Sequence, residues 1–193
     1  MKILNKTPQI LVSLLLAGSL AACSSTPSEN AGLADAEREV QQVYPDAGIP
    51  NIEGLELSLA YTDPAFSVPE ELQDTESTQA NKDSVVLVYS KDKGSLKDAE
   101  QETLSAENLL YGPYEGSQAL MLTLSDQPAT LQDSESRSVE GTRIQVARLE
   151  NKRVYAIARP NDVTYTLQAS TDSGFEEEEL LGILAQVSTS QEN

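Results

Sequence analysis

Histidine and tryptophan are missing from this 193-residue chain, cysteine occurs once and phenylalanine twice. Without His, the commonest general base and metal-ligating side chain is gone. A single Cys excludes an intramolecular disulfide, a Cys-rich zinc site and an iron–sulfur cluster. Positive charge is also scarce: 13 Lys and Arg stand against 31 Asp and Glu, for a formal net charge of −18. That balance excludes nucleic acid as a partner, because its phosphates need Lys and Arg to neutralise them. Neither a Gly-x-Ser-x-Gly elbow nor a phosphate-cradling glycine loop occurs. The length fits one domain with a tail.

One long apolar run is present, at the N-terminus. Lys2 and Lys6 precede an uncharged stretch from Ile10 to Leu20, and small residues lead to the single cysteine in Leu20-Ala21-Ala22-Cys23. The run is shorter than the ~20 residues a membrane span needs and has the layout of a secretory signal. Leu-Ala-Ala-Cys resembles the lipobox of bacterial lipoproteins. The resemblance implies a signal peptide over 1–22, diacylglyceryl attachment at Cys23, cleavage just before it and an extracytoplasmic, membrane-anchored body. Ser24, rather than an acidic residue, follows the Cys. In a double-membrane cell this implies the outer membrane; in a single-membrane cell, the outer face of the plasma membrane. Several acyl chains hold a protein firmly, whereas one is marginal. The acidic body adds no attraction to anionic lipid, so the lipid alone is the anchor.

Residues 23–32 then read as the acylated Cys and a flexible tether without a large apolar side chain. Residues 33–190 read as a single α+β domain: an antiparallel sheet with an N-terminal and a C-terminal amphipathic helix on one face. Leu33, Ala36, Val40 and Val43 have helical spacing, ended by Pro45. Leu55, Leu57, Leu59 and Tyr61 alternate with Glu56, Ser58 and Ala60 as a half-buried strand. Val85 to Tyr89 is a continuous apolar strand, and Ala119 to Leu124 another. Residues 67–83 read as a loop, as does Tyr111-Gly112-Pro113-Tyr114 within the ambiguous stretch 96–117. Thr142 to Leu149, Arg153 to Arg159 and Val163 to Ala169 form an antiparallel meander. In its last run Val163, Tyr165, Leu167 and Ala169 face the core, with Thr164, Thr166 and Gln168 toward water. Ser173 and Glu176 have capping-box spacing before a final helix whose Leu180, Ile183, Leu184 and Val187 form an apolar stripe.

Few residues stand out for chemistry. Glu176 to Glu179 sit where the helix dipole favours anions, and their spacing is not that of a calcium loop. No metal or other cofactor is expected, and no catalytic residue is nominated. The less bland feature is basic: Arg143, Arg148, Lys152, Arg153 and Arg159 are five of the 13 cations, gathered on neighbouring strands of an acidic body. They are the candidate surface for docking an envelope protein partner. Tyr61, Tyr89, Tyr155 and Tyr165 read as packing residues on strands, while Tyr111 and Tyr114 are loop aromatics astride Gly112-Pro113.

The stretch from Val139 to Val187, about a quarter of the chain, is similar to a small β-rich domain of bacterial envelope proteins. That domain stands behind anti-sigma and sporulation-associated membrane proteins and is loosely related to the lipoprotein-carrier half-barrel. Val139-Glu140-Gly141, Val163 to Leu167 and Glu177 to Leu181 carry the likeness, which brings no catalytic residue with it. Together these readings make the body a non-catalytic accessory, sensing or partner-binding module rather than an enzyme. The runner-up is a carrier of lipid or another apolar ligand, in a cavity lined by residues such as Val86, Val88, Leu122, Tyr165 and Leu167. A hydrolase built on Ser, Lys and carboxylates is third.

Overall fold

The computed structural model describes residues 29–73, 82–97, 107–150 and 152–189. The expected signal peptide and Cys23 lie outside them. Two helices, α1 (Glu29–Val43) and α2 (Glu177–Thr189), flank eight strands in sequence. These are β1 (Glu56–Asp63), β2 (Ser84–Ser90), β3 (Leu109–Tyr111), β4 (Gln118–Ser125), β5 (Glu135–Val139), β6 (Thr142–Leu149), β7 (Arg153–Ala158) and β8 (Thr164–Ser170). They form a single sheet in the order β3-β1-β2-β4-β8-β7-β6-β5, and every neighbouring pair is antiparallel. The α+β expectation holds at this level, with strand predominating.

Register explains the core. Ala60, Leu87, Leu122, Leu167, Ala156 and Val146 stand opposite one another across six strands, and each is at most 1% exposed. Cross-strand rows of this kind are the unit of sheet stabilisation. Ala36 and Val40 of α1 and Leu180, Leu181 and Leu184 of α2 belong to the same buried cluster. The first helix lies against β3 and the second against β5 to β8.

Several sequence expectations need correction. The first helix begins at Glu29, so residues 29–32 are helical rather than part of the tether. Tertiary packing carries it back: Gly32 sits close to the Tyr111 ring. In β1 the regular alternation breaks at an irregularity between Leu57 and Leu59. Leu57 and Ala60 therefore both reach the core, and Leu59 and Tyr61 are only partly buried. A bulge changes which face later residues occupy.

The side of β8 expected to be wet is largely covered. Thr164 and Thr166 are buried, in a strand whose other neighbours on that face support a second apolar cluster. Val68, Leu72 and Leu131 lie there on Ala147, Tyr155 and Ile157. The covering segments are tied together by Gln132 N–H donating to the Leu72 carbonyl (2.8 Å). Leu131 N–H donates to Gln145 Oε1 (2.9 Å). The α2 cap also differs, because Ser173 ends a 3-10 turn instead of capping the helix. Glu179 reaches back to accept from the Glu176 N–H at 2.8 Å, which satisfies an amide the helix leaves open.

Candidate functional site

The five basic residues do not share one face. Along β6, Arg148 projects with Ile144 and Val146 on the core side, whereas Arg143 alternates with them. Arg153 pairs with Leu149, on the side of Arg143 but at the far end of the strands, roughly 17–20 Å away at ~3.4 Å per residue. Three of the five have acidic partners. Arg148 bonds Glu177 at 2.7 Å, Lys152 lies 3.9 Å from Glu150, and Arg159 lies 3.7 Å from Asp162.

Arg148 belongs to a network that sequence reading missed. Arg137 on β5 contacts Glu135 (3.0 Å), Glu177 (3.1 Å) and Glu178 (3.5 Å), so two arginines meet three glutamates where β5, β6 and α2 converge. Hydrogen bonding from Arg137 and the charge of Arg148 hold the Glu135 carboxyl below its ordinary range. Glu177 is the hinge of this network, with its side chain 15% exposed between both guanidinium groups. Replacing it with Ala leaves Arg137 and Arg148 sharing Glu135, which lies 3.0 Å from one and 3.7 Å from the other, and a loss of about 1 kcal/mol is expected in denaturant unfolding. That loss should shrink as salt is added.

The five residues considered for a carrier cavity are also divided. Leu122, Tyr165 and Leu167 pair in the core rows, while Val86 and Val88 occupy the alternate positions of β2 and face the other way.

A cleft elsewhere has the stronger chemistry. It lies between α1, the 49–55 segment and the β1/β3 edge, with a volume of about 290 Å³. Leu33, Ile49, Ile52, Leu55 and Leu57 give it apolar walls. Tyr89 stands at its base, and its hydroxyl donates to the Pro50 carbonyl at 2.8 Å, which fastens the 49–55 segment over β2. Among the described residues, Lys93 is the one cation in the lining. Its side chain is 10% exposed, and its ammonium donates to Tyr111 Oη at 3.3 Å. The same ammonium lies 4.7 Å from the centre of the Tyr114 ring and 5.7 Å from that of Tyr111. Ring faces attract such a cation. Glu56 is looser, at 3.9 Å and 60% exposed.

Local backbone sets this arrangement. Gly94 N–H donates to the Glu115 carbonyl, Glu115 N–H to Ser95 and Lys97 N–H to Pro113, each at 2.8 Å. This short ladder carries Lys93 to the two tyrosines, whose rings are 5.2 Å apart. Burial, with a hydrogen bond to Tyr114, pushes the Tyr111 phenol up to about 12 despite the opposing pull of Lys93. It is therefore a neutral donor and acceptor at ordinary pH. Tyr111 and Tyr114 were visible as unusual loop aromatics, but their lysine read only as part of a turn.

Ser90 and Lys93 also carry a Ser-x-x-Lys spacing that the sequence reading passed over. Ser90 is fully buried, and its hydroxyl has no hydrogen-bond partner among the described residues. A nucleophile closed off from solvent has no access to substrate. Compared with known proteins, the chain matches no family model, no curated protein and no solved structure.

Proposed function

We propose that the protein is a lipid-anchored extracytoplasmic envelope lipoprotein whose body is a non-catalytic accessory or sensing module, working through the cleft beside α1. One observation carries the reading: the cleft lies at the end of the body where the anchor would attach. Leu33 lines it, and α1 begins at Glu29, six residues after Cys23. Six extended residues reach roughly 20 Å, so a lipid on Cys23 holds the cleft near the bilayer surface. We also infer that both helices cover one face of the sheet, which their shared cluster with Leu87, Leu122 and Leu167 supports.

The dispersed arginines favour the cleft over a single basic docking face. The split of Val86 and Val88 from Leu122, Tyr165 and Leu167 weakens a carrier cavity within the sheet. Mass spectrometry of the mature N-terminus tests the anchor: a diacylglyceryl Cys23 as first residue is expected. Changing Cys23→Ser should move the protein out of the membrane fraction. An unmodified Cys23, or cleavage elsewhere, overturns the anchored reading.

A further inference from the structure

The two edges of the sheet are built differently. β3 is three residues long, and Pro113, which has no N–H to offer a neighbouring strand, follows two residues after its end. β5 runs for five residues, Glu135–Val139, without a proline, and among the described residues β6 is its one strand neighbour.

Hairpin geometry fixes which backbone groups β5 leaves open. Val139 pairs with Thr142 across a two-residue turn in which Glu140 and Gly141 have φ of +51 and +87. Two left-handed central residues make a type I′ turn, whose flanking residues exchange N–H and C=O with each other. That phase turns the amides of Glu135, Arg137 and Val139 toward β6 and those of Ser136 and Ser138 outward. The side chains follow the same alternation. Glu135 and Arg137 stand opposite Val146 and Ile144, on the face where α2 lies, and bond to each other at 3.0 Å.

We propose that β5 pairs antiparallel with β5 of a second copy of this chain, about a two-fold axis at Ser136, joining two sheets edge to edge.

Charge selects the partner and the register together. Outward amides meet outward amides only when the axis falls on a residue of the strand. With the axis at Ser136, Glu135 stands opposite the partner's Arg137, and Arg137 opposite the partner's Glu135. These are non-hydrogen-bonded positions, where side chains approach most closely, at about 4.5 Å between Cα atoms. An axis at Glu135 would set two glutamates face to face, and one at Arg137 two arginines. An axis at Ser138 would oppose Arg137 to Val139. Opposite charges stabilise such a pair and like charges destabilise it, so Ser136 is favoured over its neighbours. Glu135 and Glu178 are 59% and 80% exposed, so both can reach a guanidinium outside their own chain while Glu177 keeps Arg137 in place.

Two five-residue strands bury less than the roughly 1,200 Å² of a standard interface, and the net charge of −18 on each copy opposes association. The pairing is therefore reversible, with a Kd on the order of 100 µM. It depends on neither the cleft nor the anchor.

Its test is disulfide trapping of the full chain at about 200 µM, carrying Cys23→Ser so that an introduced cysteine is the lone one. Ser136→Cys faces itself across the axis at about 5.5 Å, within reach of a disulfide. Ser138→Cys is four residues out of register with its copy, about 14 Å away, and out of reach. Ser136→Cys should therefore give at least about tenfold more covalent dimer than Ser138→Cys. An equal mixture of Ser134→Cys and Ser138→Cys chains should trap only the mixed dimer. Adding Ser138→Pro to Ser136→Cys removes an outward N–H, leaves the β6 ladder intact, and should cut trapping at least about fivefold with the circular dichroism spectrum preserved. Adding Arg137→Glu should cut it as well, and Glu135→Arg on top of that should restore it. Equal trapping at 136 and 138, or trapping indifferent to Ser138→Pro, overturns β5 pairing. Dimer that forms through Ser138→Cys alone overturns the register, and absence of dimer from every variant overturns the second copy as the occupant of this edge.

Discussion

Raising the pH from 9 to above 12 is expected to unfold the protein cooperatively, with tyrosinate absorbance and loss of circular dichroism rising together. Tyr44, Tyr111 and Tyr165 are each pushed from 10.0 up to about 12, chiefly by burial. Asp126 and Asp83 add to the effect at Tyr44, and Asp46 at Tyr165. Burial raises Tyr89 further still. In each case the folded state favours the neutral phenol. The stabilisation is complete below pH 10, where the unfolded phenol is also neutral, and is lost as pH climbs through 10 toward 12. Two units correspond to about 3 kcal/mol as a ceiling per phenol, and the phenol ends lie nearer solvent than their ring bodies, so screening brings each contribution well below it. Tyrosines that titrate near 10 while the sheet persists would contradict the argument. Tyr89→Phe should move the alkaline midpoint upward, having removed the hardest group to ionise, and cost about 1 kcal/mol at neutral pH through its lost bond to Pro50.

Substituting Gly112→Ala is expected to cost roughly 2–4 kcal/mol and to disable the cleft. Gly112 has φ +79, in the left-handed region, and a Cβ there would overlap the Ser58 carbonyl oxygen. That oxygen cannot easily retreat, because it accepts from Tyr114 N–H at 2.9 Å, and the Ser58 hydroxyl donates to the Val88 carbonyl at 3.1 Å. Relief comes by parting β3 from β1, which moves Tyr111 and Tyr114 away from Lys93. Gly54→Ala provides the comparison: its φ is +73, yet nothing lies within 4 Å of the added carbon. That substitution should cost about 1 kcal/mol, the backbone contribution alone. Equal losses for the two in denaturant unfolding would show that the Ser58 overlap relaxes freely.

Strands with strong alternation or continuous apolar runs were legible in the sequence. Residues 142–149 were placed correctly, and the runs at 85–89, 119–124, 153–159 and 163–169 were within a residue of the strands. β3 is only three residues long and ends at Tyr111, too short to show a period. β5 reads Glu-Ser-Arg-Ser-Val, and what holds Arg137 is α2, some forty residues later. No local pattern announces such a strand. The bulge in β1 falls at Ser58, where the neighbours Gly112 and Tyr114 come from a distant part of the sequence, so no local pattern marks it. The basic residues were gathered in sequence, but alternation and strand length distributed them in space. The cleft was illegible for the converse reason: Leu33, Pro50, Tyr89, Lys93 and Tyr111 come from five segments, joined only when residues 49–55 fold over β2.

The place of β8 has a consequence for how this chain is synthesised. Although last in sequence among the described strands, it lies between β4 and β7 and joins the β3-β1-β2-β4 block to the β7-β6-β5 block within the sheet. A chain emerging N-terminus first can complete β4 by Ser125, but its outer edge waits roughly 40 residues for Thr164. At about 5–20 residues per second, that is an interval of a few seconds. Throughout it the buried side of β4, with Leu120, Leu122 and Leu124, lacks its neighbour, and an open edge invites pairing with another chain. During synthesis the sheet thus remains two unfinished halves until β8 has emerged.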